Sequence, residues 1–290
     1  MVELDVLEAL DCLQWLRTGE EVAKRFAISQ PTVSRNAAKA LRVFGLEMER
    51  VHGEWQLIGD QTFLNLERQV HQMARRLGHR RLRLDATYWS APTLCEPLPE
   101  GWLLGASNIV GIQRNFALLQ DRVMDAWLTG LPDLPTASEP DLTAIVLSKM
   151  PVFFVCSPGH PLLAREQIDY GDIAEFPTLA LPAGSYPKVE TALKSIQLWD
   201  DGVRMRRYCR DKWEGRSEAE LVVGYGTPLS MAVSGGQLCR LPLELPFKSG
   251  DALVVRRDWL DDPRLDQLIQ QLRNNLAAIA PRFPELEMLI

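Results

Sequence analysis

The apolar positions along this chain change period several times. Leu4, Leu7, Leu10, Leu13 and Leu16 recur at three-residue steps with polar residues between them, which predicts an amphipathic helix ending near Thr18-Gly19. A second short helix is expected over Glu20 to Phe26, capped by Thr18 or Gly19, with acids in its first turn where a helix N-terminus favours them. Ala27-Ile28-Ser29 breaks the pattern, and the helical period returns from Gln30 to about Phe44. Ser29 suits the N-cap. Pro31 falls in the first turn, where its missing N–H would have had no partner. Helix, tight turn and capped helix predict a helix-turn-helix, with Ala23 letting the helices cross closely and Phe26, Ile28 and Val33 filling the wedge.

Glu49-Arg50-Val51-His52-Gly53-Glu54-Trp55-Gln56-Leu57 then alternates around a glycine, as a two-stranded wing would. After Gly59, Phe63, Leu66, Val70, Met73 and Leu77 step by 3, 4, 3 and 4. That spacing makes a coiled-coil seam, so these five residues are expected to dimerise the chain; the other reading is a helix packed on its own domain. Beyond Gly78, strands are expected at Arg81 to Ala86, Trp102 to Leu104, Thr143 to Leu147, Val152 to Cys156, Val203 to Tyr208, Leu221 to Gly224 and Ala252 to Arg256. Helices are expected at Leu118 to Leu128, Val189 to Ile196 and Leu265 to Ile279. Strands alternating with helices predict an α/β part with a mostly parallel sheet.

Composition adds limits. With 290 residues, 46% hydrophobic and 24% charged, the chain is expected to be a globular protein of two or three domains. No run approaches the ~18 apolar residues of a membrane span, and Glu3, Asp5, Glu8 and Asp11 stand where an export signal would be basic and apolar. A cytoplasmic protein with no membrane contact is expected. The five cysteines are scattered, without C-x-x-C spacing or nearby histidines, so neither a disulfide framework nor a metal site is predicted.

The net charge of −6 conceals an uneven distribution. Between residues 22 and 42 the charged side chains are Lys24, Arg25, Arg35, Lys39 and Arg42, with no acid. From 61 to 83 six arginines face only Glu67. A local basic face on an acidic protein suits double-stranded DNA as partner. On the capped helix, Gln30, Thr32, Ser34 and Arg35 are donors and acceptors for base edges and phosphates, Pro31 an apolar groove contact, and Lys39 and Arg42 phosphate-side charges. Trp55 reads as packing. Catalytic equipment is missing from the sequence: no phosphate-binding glycine loop, no nucleophile elbow, no metalloprotease motif, and His52, His71, His79 and His160 fall outside any expected cleft. Neither an enzyme nor a cofactor is expected.

Val22-Ala23-Lys24-Arg25-Phe26-Ala27-Ile28-Ser29-Gln30-Pro31-Thr32-Val33-Ser34-Arg35 resembles the helix-turn-helix of LysR-type transcriptional regulators. The wing residues Glu49-Arg50, Gly53, Gln56 and Leu57 follow in the family's order. So do Val152-Phe153-Phe154-Val155-Cys156-Ser157-Pro158-Gly159-His160-Pro161-Leu162, then Leu179-Ala180-Leu181-Pro182-Ala183-Gly184-Ser185 and Leu221-Val222-Val223-Gly224-Tyr225-Gly226.

The resemblance implies an α/β multi-domain protein with an N-terminal winged helix-turn-helix (1–59), a linker and dimerisation helix (60–79) and an effector-binding domain (80–290). That last domain would resemble type-2 periplasmic binding proteins, with lobe one at 80–150 and 250–290 and lobe two at 151–249. It also implies a sequence-specific regulator, dimeric or tetrameric, controlled by a small polar or anionic effector between the lobes. Thr87, Ser90, Ser107, Asn108 and Thr227, at strand ends, would hold that effector in a cleft of roughly 300–1,000 Å³. Arg204, Arg206, Arg207 and Arg210 read as a solvated strand edge. The alternative is a small-molecule-binding protein or enzyme on the same scaffold whose front end only dimerises. The sequence departs from the family at Asn36 to Leu41, where an acidic leucine-rich helix is usual, and between Thr87 and Gly101, where Pro92, Pro97 and Pro99 predict a reshaped pocket, filled if Leu94 or Leu98 turns into it.

Overall fold

The structure, a computed structural model, describes residues 2–198 and 201–289. Its first part comprises α1 (Leu4–Leu16), α2 (Gly19–Phe26), α3 (Gln30–Phe44), β1 (Glu47–Val51) and β2 (Glu54–Ile58), the two strands pairing antiparallel. Thr18 caps α2 by accepting from the Glu21 N–H, and Ser29 caps α3 by accepting from the Thr32 N–H. Val33 fills the wedge with no exposed surface and Phe26 packs beside it. Ile28 does not: Ala27 ends α2 in the left-handed conformation and Ile28 stays 40% exposed.

The chain continues through α4 (Thr62–Arg76), β3 (Leu82–Ala86), α5 (Ser90–Leu94), β4 (Trp102–Leu104), α6 (Gln113–Gln120), β5 (Ala126–Gly130), β6 (Leu142–Val146) and β7 (Ser148–Cys156). The second lobe adds α7 (Tyr170–Ala174), β8 (Leu179–Ala180), α8 (Pro187–Ser195), β9 (Asp201–Gly202), α9 (Glu214–Ala219), β10 (Gly224–Gly226), α10 (Pro228–Ser234) and β11 (Cys239–Ser249). The chain returns with β12 (Asp251–Arg256), α11 (Pro263–Ile279) and β13 (Glu287–Met288).

Five strands form the first sheet in the order β4-β3-β5-β12-β6, and the second sheet has β7 between β10 and β11 with β13 paired to β7. In the first sheet β4, β3 and β5 run parallel and β12 is antiparallel to both neighbours; the pairs of the second sheet are antiparallel, and β8 and β9 form a short parallel pair. The mostly parallel sheet therefore holds only in part, because β12 re-enters the first lobe from the other in the reverse direction. Gly250 makes the re-entry possible. It sits at φ +154°, and a Cβ there would lie 2.0 Å from the Ser148 carbonyl oxygen.

The expected helix from Leu118 to Leu128 is two elements. α6 ends at Gln120 and β5 begins at Ala126, and every residue of β5 is buried. A strand buried on both faces has no alternation, so periodicity alone cannot distinguish it from a buried helix. The strand expected from Val203 to Tyr208 reduces to a bridge between Ile109 and Arg207, and Leu221 to Gly224 shifts to Gly224–Gly226.

One buried cluster spans the winged helix and the first lobe. Leu7, Leu10, Trp15 and Leu64 share it with Phe116, Leu119, Val123 and Trp127. A polar layer runs alongside. Arg68 pairs with Asp11 at 2.9 Å and Arg75 with Asp125 at 2.8 Å, and all four side chains are essentially inaccessible. Arg114 of α6 donates to the Gln14 and Trp15 carbonyls at 2.6 and 2.8 Å, satisfying the open C-terminal end of α1. Removing one partner of such a buried pair strands a charge, at a cost of about 3–5 kcal/mol.

Candidate functional site

Helix α3 presents the residues expected to read DNA. Gln30, Pro31, Ser34, Arg35, Lys39 and Arg42 are exposed and Thr32 is half-buried. Gln30 Nε2 donates to Ser34 Oγ at 3.0 Å and Arg35 Nη2 to Thr32 Oγ1 at 3.3 Å, so four of these side chains are prearranged along the helix. Lys39 is tied to Glu3 at 3.2 Å, while Arg42 Nε donates to the Ala38 carbonyl at 3.4 Å. The wing is held from behind. Trp55 Nε1 donates to the Arg17 carbonyl at 2.7 Å, and Glu54 accepts from both Arg17 and Arg114. At the tip, Arg206 of the second lobe donates to the His52 carbonyl at 2.7 Å, which gives that arginine a partner beyond the solvated edge expected for it.

Helix α4 is amphipathic in an inverted sense. Its polar side, with Glu67, Arg68, His71, Gln72 and Arg75, is buried against the rest of the chain. Its apolar seam faces outward: Phe63, Leu66, Val70, Met73 and Leu77 are 52%, 58%, 48%, 51% and 68% exposed. The Phe63 ring packs edge-on against Phe44 of α3, with centroids 5.1 Å apart.

Between the lobes lies a cavity of about 100 Å³. Tyr88 and Trp89, just after β3, meet Tyr186, Tyr208, Trp213 and Tyr225 there. The rings of Tyr88 and Tyr208 stack across it with centroids 3.4 Å apart and planes 4° from parallel. Both hydroxyls donate to Glu214, at 3.2 Å from Tyr88 and 2.8 Å from Tyr208. Burial raises the Glu214 carboxyl above its usual range, and burial together with that carboxylate raises both phenols.

Of the strand-end residues expected to hold an effector, Thr87 and Thr227 reach the cavity wall, whereas Ser90, Ser107 and Asn108 do not. The hydroxyls of Ser90 and Ser107 have internal partners, whereas the side-chain Oδ1 of Asn108 is buried without one among the described residues. Ser90 Oγ lies 2.6 Å from Thr87 Oγ1 and donates to Asp251 at 2.5 Å. Ser107 donates to Asp85 through its backbone at 2.8 Å and its hydroxyl at 3.1 Å. The Asn108 carbonyl accepts from the Tyr208 N–H, and Thr227 forms a capping box with Ser230. The amides opening α8 are occupied too, since Asp133 accepts from Lys188 and Val189 at 2.8 and 3.3 Å. Leu94 packs under α11 in the core of the first lobe, with Leu98 against the same core, and neither fills the cleft.

Residues 111–208 match the family model of the LysR substrate binding domain. A full-length OxyR variant from Pseudomonas aeruginosa superposes with a TM-score of 0.59 at 18% identity, over 94% of this chain and 95% of that one. The fold is that of a LysR-type regulator. CbnR, a LysR family transcriptional regulator, superposes at 0.56 with 13% identity over 94% of this chain and 99% of its own. CbnR complexed with its target DNA gives 0.54 at 14%, over 94% and 100%. No curated protein sequence matches the chain. The LysR-type fold accounts for the order of winged helix, linker helix and two-lobed domain. Strand-end hydroxyls do not point to Tyr88, Tyr208, Trp213 and Glu214; the signal for them in the sequence is the Tyr88-Trp89 pair, which follows β3 after Thr87.

Proposed function

We propose that this chain is a sequence-specific DNA-binding transcriptional regulator acting in the cytoplasm as a homodimer or a homotetramer, with its activity set by a small molecule between the lobes. The observation that carries the reading is the exposed face of α3. Gln30, Ser34 and Arg35 project from a capped helix beside a wing, and among the described residues no carboxylate lies within ion-pair distance of Arg35 or Arg42. Gln30, Pro31, Thr32, Ser34 and Arg35 enter the major groove, and Lys39 and Arg42 meet phosphates. The seam of Phe63, Leu66, Val70, Met73 and Leu77 joins two copies, which sets the spacing of paired half-sites.

The other reading, a small-molecule-binding protein or enzyme whose front end only dimerises, leaves the basic α3 face without a task. Among the described residues no helix is long and apolar enough to cross a membrane. Fluorescence anisotropy with fragments of the neighbouring promoter is the test. Specific binding that weakens steeply as salt is raised supports the regulator; equal, weak binding to all fragments sinks it.

A further inference from the structure

The cleft has a chemistry of its own, and its choice of ligand rests on the assignment of this cleft as the effector site. Aromatic side chains from both lobes dominate its wall, and none of the residues lining it carries a charge. The carboxylates near it have internal partners: Asp251 accepts from Ser90 and Ser148, Glu214 from Tyr88 and Tyr208, and Asp133 holds the amides at the start of α8. On the wall itself the Tyr225 hydroxyl and the Trp89 indole N–H, both neutral donors, are buried without a hydrogen-bond partner among the described residues. An anion entering here would lose its water, find no cation on the wall, and approach Glu214 behind the two phenols. A desolvated charge without a partner is strongly disfavoured. An apolar ring loses nothing comparable and gains the stacking faces that Tyr88 and Tyr208 present to each other.

We infer that the interlobe cleft takes an uncharged, planar, single-ring aromatic molecule, and that a carboxylate effector is excluded from it. Size agrees, because the cavity of about 100 Å³ is of the order of the roughly 150 Å³ apolar cavities that admit benzene. The ring lies against Tyr88 or Tyr208 and widens their stack, so its binding is read directly by the lobes. Burial raises the proton affinity of Glu214, Asp133 and Asp251 alike, which fits a site that disfavours negative charge.

Phenol, benzoate and cyclohexanol separate ring, charge and planarity. In thermal melts of the full chain at neutral pH, phenol should raise the melting temperature saturably. Its dissociation constant should be at least about tenfold lower than that of benzoate or cyclohexanol. Val110→Trp, which fills the cavity from its rim, should abolish the phenol shift. Benzoate binding as tightly as phenol, cyclohexanol doing the same, or no shift with any probe overturns the inference. So does a folded Val110→Trp protein that still responds to phenol. Should that variant not fold, the ranking of the three probes on the unaltered chain decides alone. Promoter anisotropy on the same preparation keeps the two readings apart. DNA binding without phenol binding removes the aromatic site and leaves the regulator, whereas phenol binding without DNA binding does the reverse.

Discussion

The indole N–H of Trp15, near the end of α1, donates to Oδ2 of Asp85 on β3 at 3.1 Å, both side chains being buried. Asp85 also receives the Ser107 N–H and hydroxyl, and β3 leads through Thr87 into Tyr88. One carboxylate therefore connects the winged helix to the cleft wall. Trp15→Phe and Asp85→Ala should each destabilise the chain by about 1–3 kcal/mol, the second by leaving the Ser107 N–H unpaired. Urea unfolding of both and of the double variant should show coupling of about 0.5–3 kcal/mol. Strict additivity would mean that the bond contributes nothing.

Arg35→Ala should weaken specific DNA binding by about 1–3 kcal/mol. Arg42→Ala should weaken binding similarly for every sequence and lower the salt slope by about one. Anisotropy titrations at several salt concentrations distinguish the two patterns. An Arg35 variant with parental affinity removes that residue from the reading face.

Because the seam of α4 is exposed while its opposite side is buried, charge can be placed on it without disturbing the single chain. Leu66→Glu with Val70→Glu should leave the circular dichroism spectrum and melting behaviour of the subunit intact, yet convert the dimer or tetramer to smaller species by light scattering. An unchanged mass would put the subunit contact elsewhere.

His71 lies on the buried side of α4, with Nε2 at 3.2 Å from the Val2 carbonyl and 3.5 Å from Glu67. Burial lowers its pKa below the usual 6.5 despite the nearby carboxylates. The folded state therefore favours the neutral ring, and between the lowered folded value and 6.5 the unfolded chain binds more protons. The resulting stability is present above pH 6.5 and is lost as pH falls through that window. His71→Gln should flatten the corresponding part of a stability profile measured by urea unfolding between pH 5 and 7, a range of about two units. An identical slope in the variant would assign the dependence to other groups.

The helical front end was legible because each of its devices is local: the caps Thr18 and Ser29, Pro31 in the first turn and the glycine of the wing all act within four residues. The α4 seam was legible for the same reason. Its buried polar side was not, since Arg68 and Arg75 find Asp11 and Asp125 at separations of 57 and 50 residues. Strand β5 was misread because Ala126, Trp127 and Leu128 are buried on both faces, which erases the period that marks a strand. The cleft was misread for a chemical reason. Hydroxyls at strand ends suggest ligand binding only if no internal acceptor reaches them first, and Asp251 and Asp85 reach Ser90 and Ser107.

The cluster that unites Leu7, Leu10 and Trp15 with Phe116, Leu119 and Trp127 makes α1 common property of the two halves. Excised at Ile58, the front end would carry away one side of that cluster and leave the other open to water, so neither fragment would keep its native surface. Grafting this front end onto a foreign sensor would meet the same difficulty, since the foreign sheet would lack the wall against which α1 folds. With no joint in between, a shift of the first sheet is already a shift of the helices packed against it.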